Sequence, residues 1–300
     1  MKYSLGINTG FAVNRYQEPE EWCEIVKKIG LNNVQLTADL INVSLPQKII
    51  IKKAKQINKY KKKNRIEITS LFTGAFTRVN HLANPDKDIR NYWINWFKNF
   101  IDLSLFLECK IIGSHFGILT IKEYNDKKIR EKRFSDNLSG WEEIANYALK
   151  KGVEQILWEP MSIGREYGHT IRNTRYIDKK INNISAVPFN LCLDVDHGDI
   201  SSKNPKDTNP YEWIKEFKNK VRVLHVKQSL KDKSGHFPFT KKFNKIGKIV
   251  PDKIIKTLKK NNIKNCDIIL ELSFREREPA DSTVEKVLKE SVDYWIKSLG

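Results

Sequence analysis

The sequence predicts a single (β/α)8 barrel over residues 1–300, and three observations carry that expectation. Short, branched apolar runs alternate with amphipathic stretches eight times along the chain. No Pro/Gly/Ser linker, short-period repeat or low-complexity segment interrupts the alternation. The last four apolar runs each stop at a side chain that can bind a metal: ILWE at Glu159, LCLD at Asp194, VLH at His225 and IILE at Glu271. Repeated strand–helix alternation is the pattern of a parallel sheet closed by its own crossovers, and in such barrels the strand C-termini converge on one mouth. A chain of 300 residues with 40% hydrophobic content is long enough for one large core.

Taken in order, strands are predicted at residues 4–8, 33–36, 66–72, 111–115, 156–159, 189–194, 221–225 and 268–271. Each is a run of four to seven residues rich in Ile, Val, Leu or Phe, which suits strands covered on both faces. Between them, 18–29, 47–62, 85–107 and 141–150 read as amphipathic helices, and 284–299 closes the series. The stretch 85–107 carries Ile89, Trp93, Trp96, Phe97, Phe100, Ile101 and Leu105 at a three/four spacing that defines one apolar face. Two connections are long, 117–134 after the fourth strand and 227–248 after the seventh. Loops of that length in a compact domain are often lids or binding loops.

Composition excludes several classes. MKYSLGINTG has no apolar core of a signal peptide, and no apolar run approaches the roughly 20 residues needed to cross a bilayer. Cys23, Cys109, Cys192 and Cys266 are isolated within or beside apolar segments, the pattern of reduced, packed thiols and of a cytoplasmic protein. The net charge of +18 comes from 42 lysines and 12 arginines spread along the chain. The densest runs, KYKKK at 59–63 and KTLKK at 256–260, fall in helix-like segments as solvated faces, so no nucleic acid partner is expected. A basic exterior does favour an anionic small substrate.

Burying a polar group without a partner costs several kcal/mol (~2–7), so four ionisable residues closing four apolar runs imply a shared cation. Two Glu, one Asp and one His make a mixed O/N set for one divalent ion, Mn²⁺, Co²⁺, Zn²⁺ or Mg²⁺, with no Cys to suggest a structural zinc. An ion chelated by a ketone and the adjacent hydroxyl oxygen stabilises a cis-enediolate. Glu159 and Glu271 would then remove the carbon-bound proton and return one to the opposite face, giving epimerisation. Return to the adjacent carbon would give aldose–ketose isomerisation instead.

Other polar residues gather near these ends. His197 lies three residues past Asp194, placed to support a ligand or touch substrate. His115 ends the fourth strand in GSHFG as a site residue or a structural one, and His81 is equally open. His236 lies in the loop after the seventh strand. Arg165 either binds an anion or pairs with an acid such as Glu166.

These residues resemble the xylose-isomerase-like family of sugar isomerases and epimerases over essentially the whole chain. Glu159, Asp194, His225 and Glu271 match the metal ligands of its ketose 3-epimerases, whose two glutamates are also the acid/base pair. His197 matches their substrate-contacting His. The family's Arg after the seventh-strand His is absent; Lys227 and Lys231 stand in that region. FTGAFTRVNHLANPD, GSHFGIL, LWEPMSIGREYGHTI, LCLDVDHGD and HVKQS…GHFPFT are similar to the branch acting on tetrulose phosphates. That resemblance implies a metal-dependent 3-epimerase of erythrulose 1-phosphate in an oligomeric, xylose-isomerase-like TIM barrel. Lys227, Ser229, Lys231 and His236 become candidates to hold the phosphate, with Arg78 a weaker one.

A rival of another class is an abasic-site nuclease of the endonuclease IV kind, which shares the fold and the strand-end ligands. It needs an Asp-x-His pair after the seventh strand, where this chain has Ser234-Gly235-His236. A non-catalytic sugar-phosphate sensor is a third reading, disfavoured by two opposed glutamates that a sensor does not need.

Overall fold

A computed structural model describes residues 2–230, 235–274 and 278–299. Eight strands follow one another around a closed barrel: β1 (Lys2–Asn8), β2 (Asn33–Thr37), β3 (Glu67–Phe72), β4 (Ile111–His115), β5 (Gln155–Glu159), β6 (Phe189–Asp194), β7 (Val221–Val226) and β8 (Asn265–Leu270). All neighbours are parallel, and β8 returns to β1 with Leu5 opposite Ile268. The expected (β/α)8 barrel is the observed fold. Glu271 lies one residue past β8 rather than within it, although its N–H still reaches Val226 O at 2.9 Å.

The helices, in chain order, are α1 (Pro19–Lys28), α2 (Gln47–Asn64), α3 (Lys87–Phe106), α4 (Ile121–Asn125) and α5 (Lys127–Lys151). They continue with α6 (Ile171–Asn182), α7 (Pro210–Glu216), α8 (Lys241–Asn244), α9 (Pro251–Lys260) and α10 (Val284–Leu299). Local chemistry explains their starts. Glu18 and Glu21 exchange side-chain and backbone bonds across the first turn of α1, with Pro19 at its first position. Asp86 caps α3 through Asp88 N–H, and that helix buries Trp96, Phe97, Phe100 and Ile101. Ile89, expected on the same face, is exposed, because α3 meets the core only further along.

The stretch 117–134 is not a long loop. Thr120 and Glu123 form a reciprocal cap on α4, and Asp126 accepts from Ile129 N–H to start α5. That helix therefore begins at Lys127, not near Trp141. Its early turns bury Arg133 and Asn137 rather than aliphatic residues, so no apolar period marks them. The connection 227–248 is long but braced: Gln228 pairs with Phe237, and Leu230 with Gly247, as antiparallel bridges.

Outer faces of the strands pack on the helices, whereas Phe72, Leu157, Cys192, Val223 and Ile269 form a separate cluster, contributed by five strands. Gly113 makes room for one of them: a Cβ there would stand 2.1 Å from the Phe72 ring. Phe72 in turn supports the site above, its ring edge-on to His225 at 5.3 Å. Among the described residues no helix is long and apolar enough to cross a membrane.

Candidate active site

A cavity of about 310 Å³ opens at the C-terminal ends of the strands. Strand register brings the ligand-type residues together: β4 and β5 set His115 beside Glu159, and β6 and β7 set Asp194 beside His225. One ligand atom from each of Glu159, Asp194, His225 and Glu271 lies within 4.8 Å of the others. The first three are buried and Glu271 is half-buried.

His225 is oriented from the opposite side of the barrel. Its Nε2–H donates to Gln35 Oε1 at 2.7 Å, which turns Nδ1 toward the cluster, 3.1 Å from Glu159 Oε1 and 3.6 Å from Glu271 Oε1. Gln35 is itself held, accepting from Asn8 Nδ2 at 2.8 Å and donating to Ser70 Oγ at 3.1 Å. Burial opposes a charged imidazole, yet the Glu271 and Glu159 carboxylates help hold His225 well above its ordinary pKa. Burial likewise works against both glutamates ionising. Lys227, His225 and His236 outweigh it at Glu271, and His225 and His197 at Glu159, so both stay below the usual carboxylate range.

Lys227 sits inside this cluster. Its ammonium is 2.7 Å from Asp194 Oδ2 and 3.0 Å from Glu271 Oε2, and although burial disfavours its charge, those carboxylates raise its pKa. Asp194 Oδ1 accepts from Asp196 N–H at 2.7 Å. Its Oδ2 is buried without a well-directed hydrogen bond, the ammonium approaching off-axis. Three carboxylates, an imidazole nitrogen aimed inward by the Gln35 hydrogen bond, and a buried oxygen lacking a directed donor together fit a divalent cation. The donor set does not choose among Mn²⁺, Co²⁺, Zn²⁺ and Mg²⁺.

The other expected site residues divide. His197 lines the cavity, donating Nδ1–H to Pro160 O at 3.0 Å with the same nitrogen 3.6 Å from Glu159 Oε1. His236 lines it too, Nδ1 bonding Glu271 O at 3.1 Å. His115 is at the wall, but its Nε2–H is committed to Val79 O at 2.9 Å, and burial pushes its pKa down to about 4. His81 lies behind it, fully buried, with Nδ1 accepting from Leu82 N–H and Nε2 donating to His115 O, a neutral structural imidazole.

Two expected contacts do not reach the cavity. Ser229 is fully buried and its hydroxyl is spent on Asp196 Oδ1. Arg165 is not part of the wall. Its carbonyl takes Leu119 N–H at 2.9 Å next to the Ile118–Glu166 bridge. Nor does Arg165 hold Glu166, which pairs with Arg78 at 2.7 Å. Lys231 lies outside the described residues. Sequence reasoning passed over Gln35, Asn8 and Asp39; for Gln35 the available signal was an amide inside the apolar run NVQLT.

The model of the xylose isomerase-like TIM barrel family matches residues 23–299. Over 297 residues the chain is 37% identical to D-erythrulose 1-phosphate 3-epimerase of Brucella abortus (strain 2308), covering 98% of this chain and 96% of that one. A putative xylose isomerase from Rhodospirillum rubrum ATCC 11170 superposes with a TM-score of 0.91 at 21% identity, over 99% of each chain. D-psicose 3-epimerase from Clostridium cellulolyticum H10, solved with D-tagatose, gives 0.70 at 16% identity, again over 99% of each chain. These two structures speak for the fold, and the Brucella relative and the family model for kinship. The chain belongs to the xylose isomerase-like TIM barrel family and is an isomerase of the epimerase kind.

Proposed function

We propose that the protein is a metal-dependent 3-epimerase of a ketose phosphate, with erythrulose 1-phosphate as substrate. The observation that carries this reading is the pair of glutamates, Glu159 and Glu271, converging on one imidazole at the cavity floor. Epimerisation requires a proton to leave one face of a carbon and another to arrive on the opposite face. One carboxylate serves the first step and its counterpart, in the acid form, serves the second. His236, 3.5 Å from Glu271 Oε2, stands where it can resupply that proton.

A divalent ion held by Glu159, Asp194, His225 and Glu271 would supply Lewis-acid neutralisation of the charge that develops on the ketone oxygen. The residues around it do the rest. Gln35 keeps His225 Nδ1 facing inward, His197 stands against Glu159 within reach of a substrate oxygen, and the apolar floor at Phe72 excludes water from below. The Brucella relative, 37% identical over nearly full length, supports the choice of substrate. The four cysteines are free and buried, in keeping with the cytoplasm, where we place the enzyme.

The test is incubation with erythrulose 1-phosphate in deuterated water. The expected result is inversion at carbon 3 with one deuterium gained there, abolished by EDTA and restored by added Mn²⁺, Co²⁺, Zn²⁺ or Mg²⁺. Deuterium entering carbon 2, with the carbonyl moved to carbon 3, would make the enzyme a carbonyl-shifting isomerase instead. Turnover insensitive to EDTA would remove the ion from the reaction.

A further inference from the structure

Arg78 follows β3 at the end of a short 3-10 turn, Ala75–Thr77, and the turn is pinned on both sides. Before the arginine, Asp39 Oδ2 accepts from Phe76 N–H at 3.4 Å and Thr77 Oγ1 accepts from Gly74 N–H at 2.8 Å. After it, Val79 O holds the His115 ring, and Asn80 Nδ2 donates to Ile118 O at 2.6 Å. The guanidinium is clamped on one edge, Nη2 donating to Glu166 Oε2 at 2.7 Å. Glu166 is almost fully buried there, whereas the arginine side chain is 46% exposed and lines the cavity.

The other cation-forming groups in the described wall are engaged elsewhere. Lys227 lies between Asp194 and Glu271, His236 is bonded to Glu271, His197 to Pro160, and His115 is neutral on Val79. Arg78 alone among these presents a permanent charge and unspent N–H donors in a fixed planar fork. That geometry matches the oxygens of a phosphate better than an ammonium does, and a carboxylate behind the fork sets its plane.

We infer that Arg78 binds the phosphate group of the ketose phosphate and that Glu166 positions it. The inference rests on the epimerase reading of the same cavity. It assigns the specificity for phosphorylated over free ketoses to the β3 connection, far from the ligand-bearing strands in sequence.

The experiment compares wild type with Arg78→Met, Arg78→Lys and Glu166→Gln on erythrulose 1-phosphate and on free erythrulose, with inorganic phosphate as competing ligand. For Arg78→Met the KM for the phosphorylated ketose is expected to rise roughly 10–100-fold, the size of a lost charge-assisted hydrogen bond. Activity on free erythrulose should stay within about twofold on the same argument, and inhibition by inorganic phosphate should vanish. Arg78→Lys should recover part of the loss and Glu166→Gln should fall between, as a positioning residue would. Equal losses on both ketoses, or undiminished phosphate inhibition in Arg78→Met, would overturn the assignment. If wild type turns over neither ketose, the epimerase reading fails instead. Calorimetric titration of wild type and Arg78→Met with inorganic phosphate still decides Arg78 in that case: lost binding supports it, and equal binding overturns it.

Discussion

The two halves of the barrel meet at one mouth but carry different chemistry. Strands β5 to β8 end in Glu159, Asp194, His225 and, one residue on, Glu271, so the cluster that could hold a metal comes from that half. Strands β1 to β4 end at or beside Asn8, Thr37, Thr73 and a neutral His115. Yet the quieter half is not passive. Gln35 on β2 reaches across the barrel to orient the His225 ring, and the β3 connection delivers Arg78. In the proposed mechanism one half moves the proton, and the other orients its residues and, through Arg78, selects the substrate.

The sharpest way to break that division is to remove the two carboxyl groups proposed to move the proton. Glu159→Gln and Glu271→Gln should each lower kcat by roughly 10²–10⁴-fold, the usual worth of a positioned acid or base, with circular dichroism and the thermal midpoint nearly unchanged. Wild-type rates in either variant would take that glutamate out of the proton transfer.

Next in size is an effect of the neutral half on stability. His115 has a folded-state pKa of about 4 against an ordinary value of 6.5, so the unfolded chain takes up its proton first as pH falls. Its contribution is therefore present above pH 6.5 and is lost progressively down to about pH 4, amounting to about 3 kcal/mol. Urea titrations of wild type and His115→Gln should show a stability difference that changes by that amount between pH 7 and 4. A difference independent of pH would mean that His115 titrates freely in the folded barrel.

A smaller effect tests the link between halves. Gln35→Leu should weaken metal affinity roughly 10–100-fold, the range for losing a partner that orients a ligand His, while kcat at saturating metal stays close to wild type. Unchanged affinity would leave the ligand half self-sufficient. The smallest is a control: Arg175 and Glu216 pair on the outer surface between α6 and α7, both partly exposed. Glu216→Gln should cost under about 1 kcal/mol of unfolding free energy and no activity, since an exposed pair is screened by water and salt.

The barrel was legible because strand–helix alternation is written locally, in runs of apolar residues, and the four clustered ionisable residues because each closes such a run. The start of α5 was not. Arg133 and Asn137 are buried there through contacts with Glu123 and with the Phe116 carbonyl, so the apolar period that announces a helix is missing. Ser229 and Arg165 have residue types suited to an anion. In the structure the Ser229 hydroxyl is taken by Asp196, and Arg165 does not line the cavity. Lys227 was expected at a phosphate and is found between two carboxylates, because register on β7 places it two residues beyond His225 at the same mouth.

By itself, then, the sequence determined the closed parallel sheet and the ionisable residues at its mouth, since both follow from short-range patterning and from the cost of burying charge. Only the tertiary structure decided which partners orient the residues at that mouth. Gln35 and His225 are 190 residues apart, Arg78 and Glu166 are 88 apart, and neither pairing leaves a mark on the local pattern of either partner. Closing the barrel is what brings them within hydrogen-bond reach.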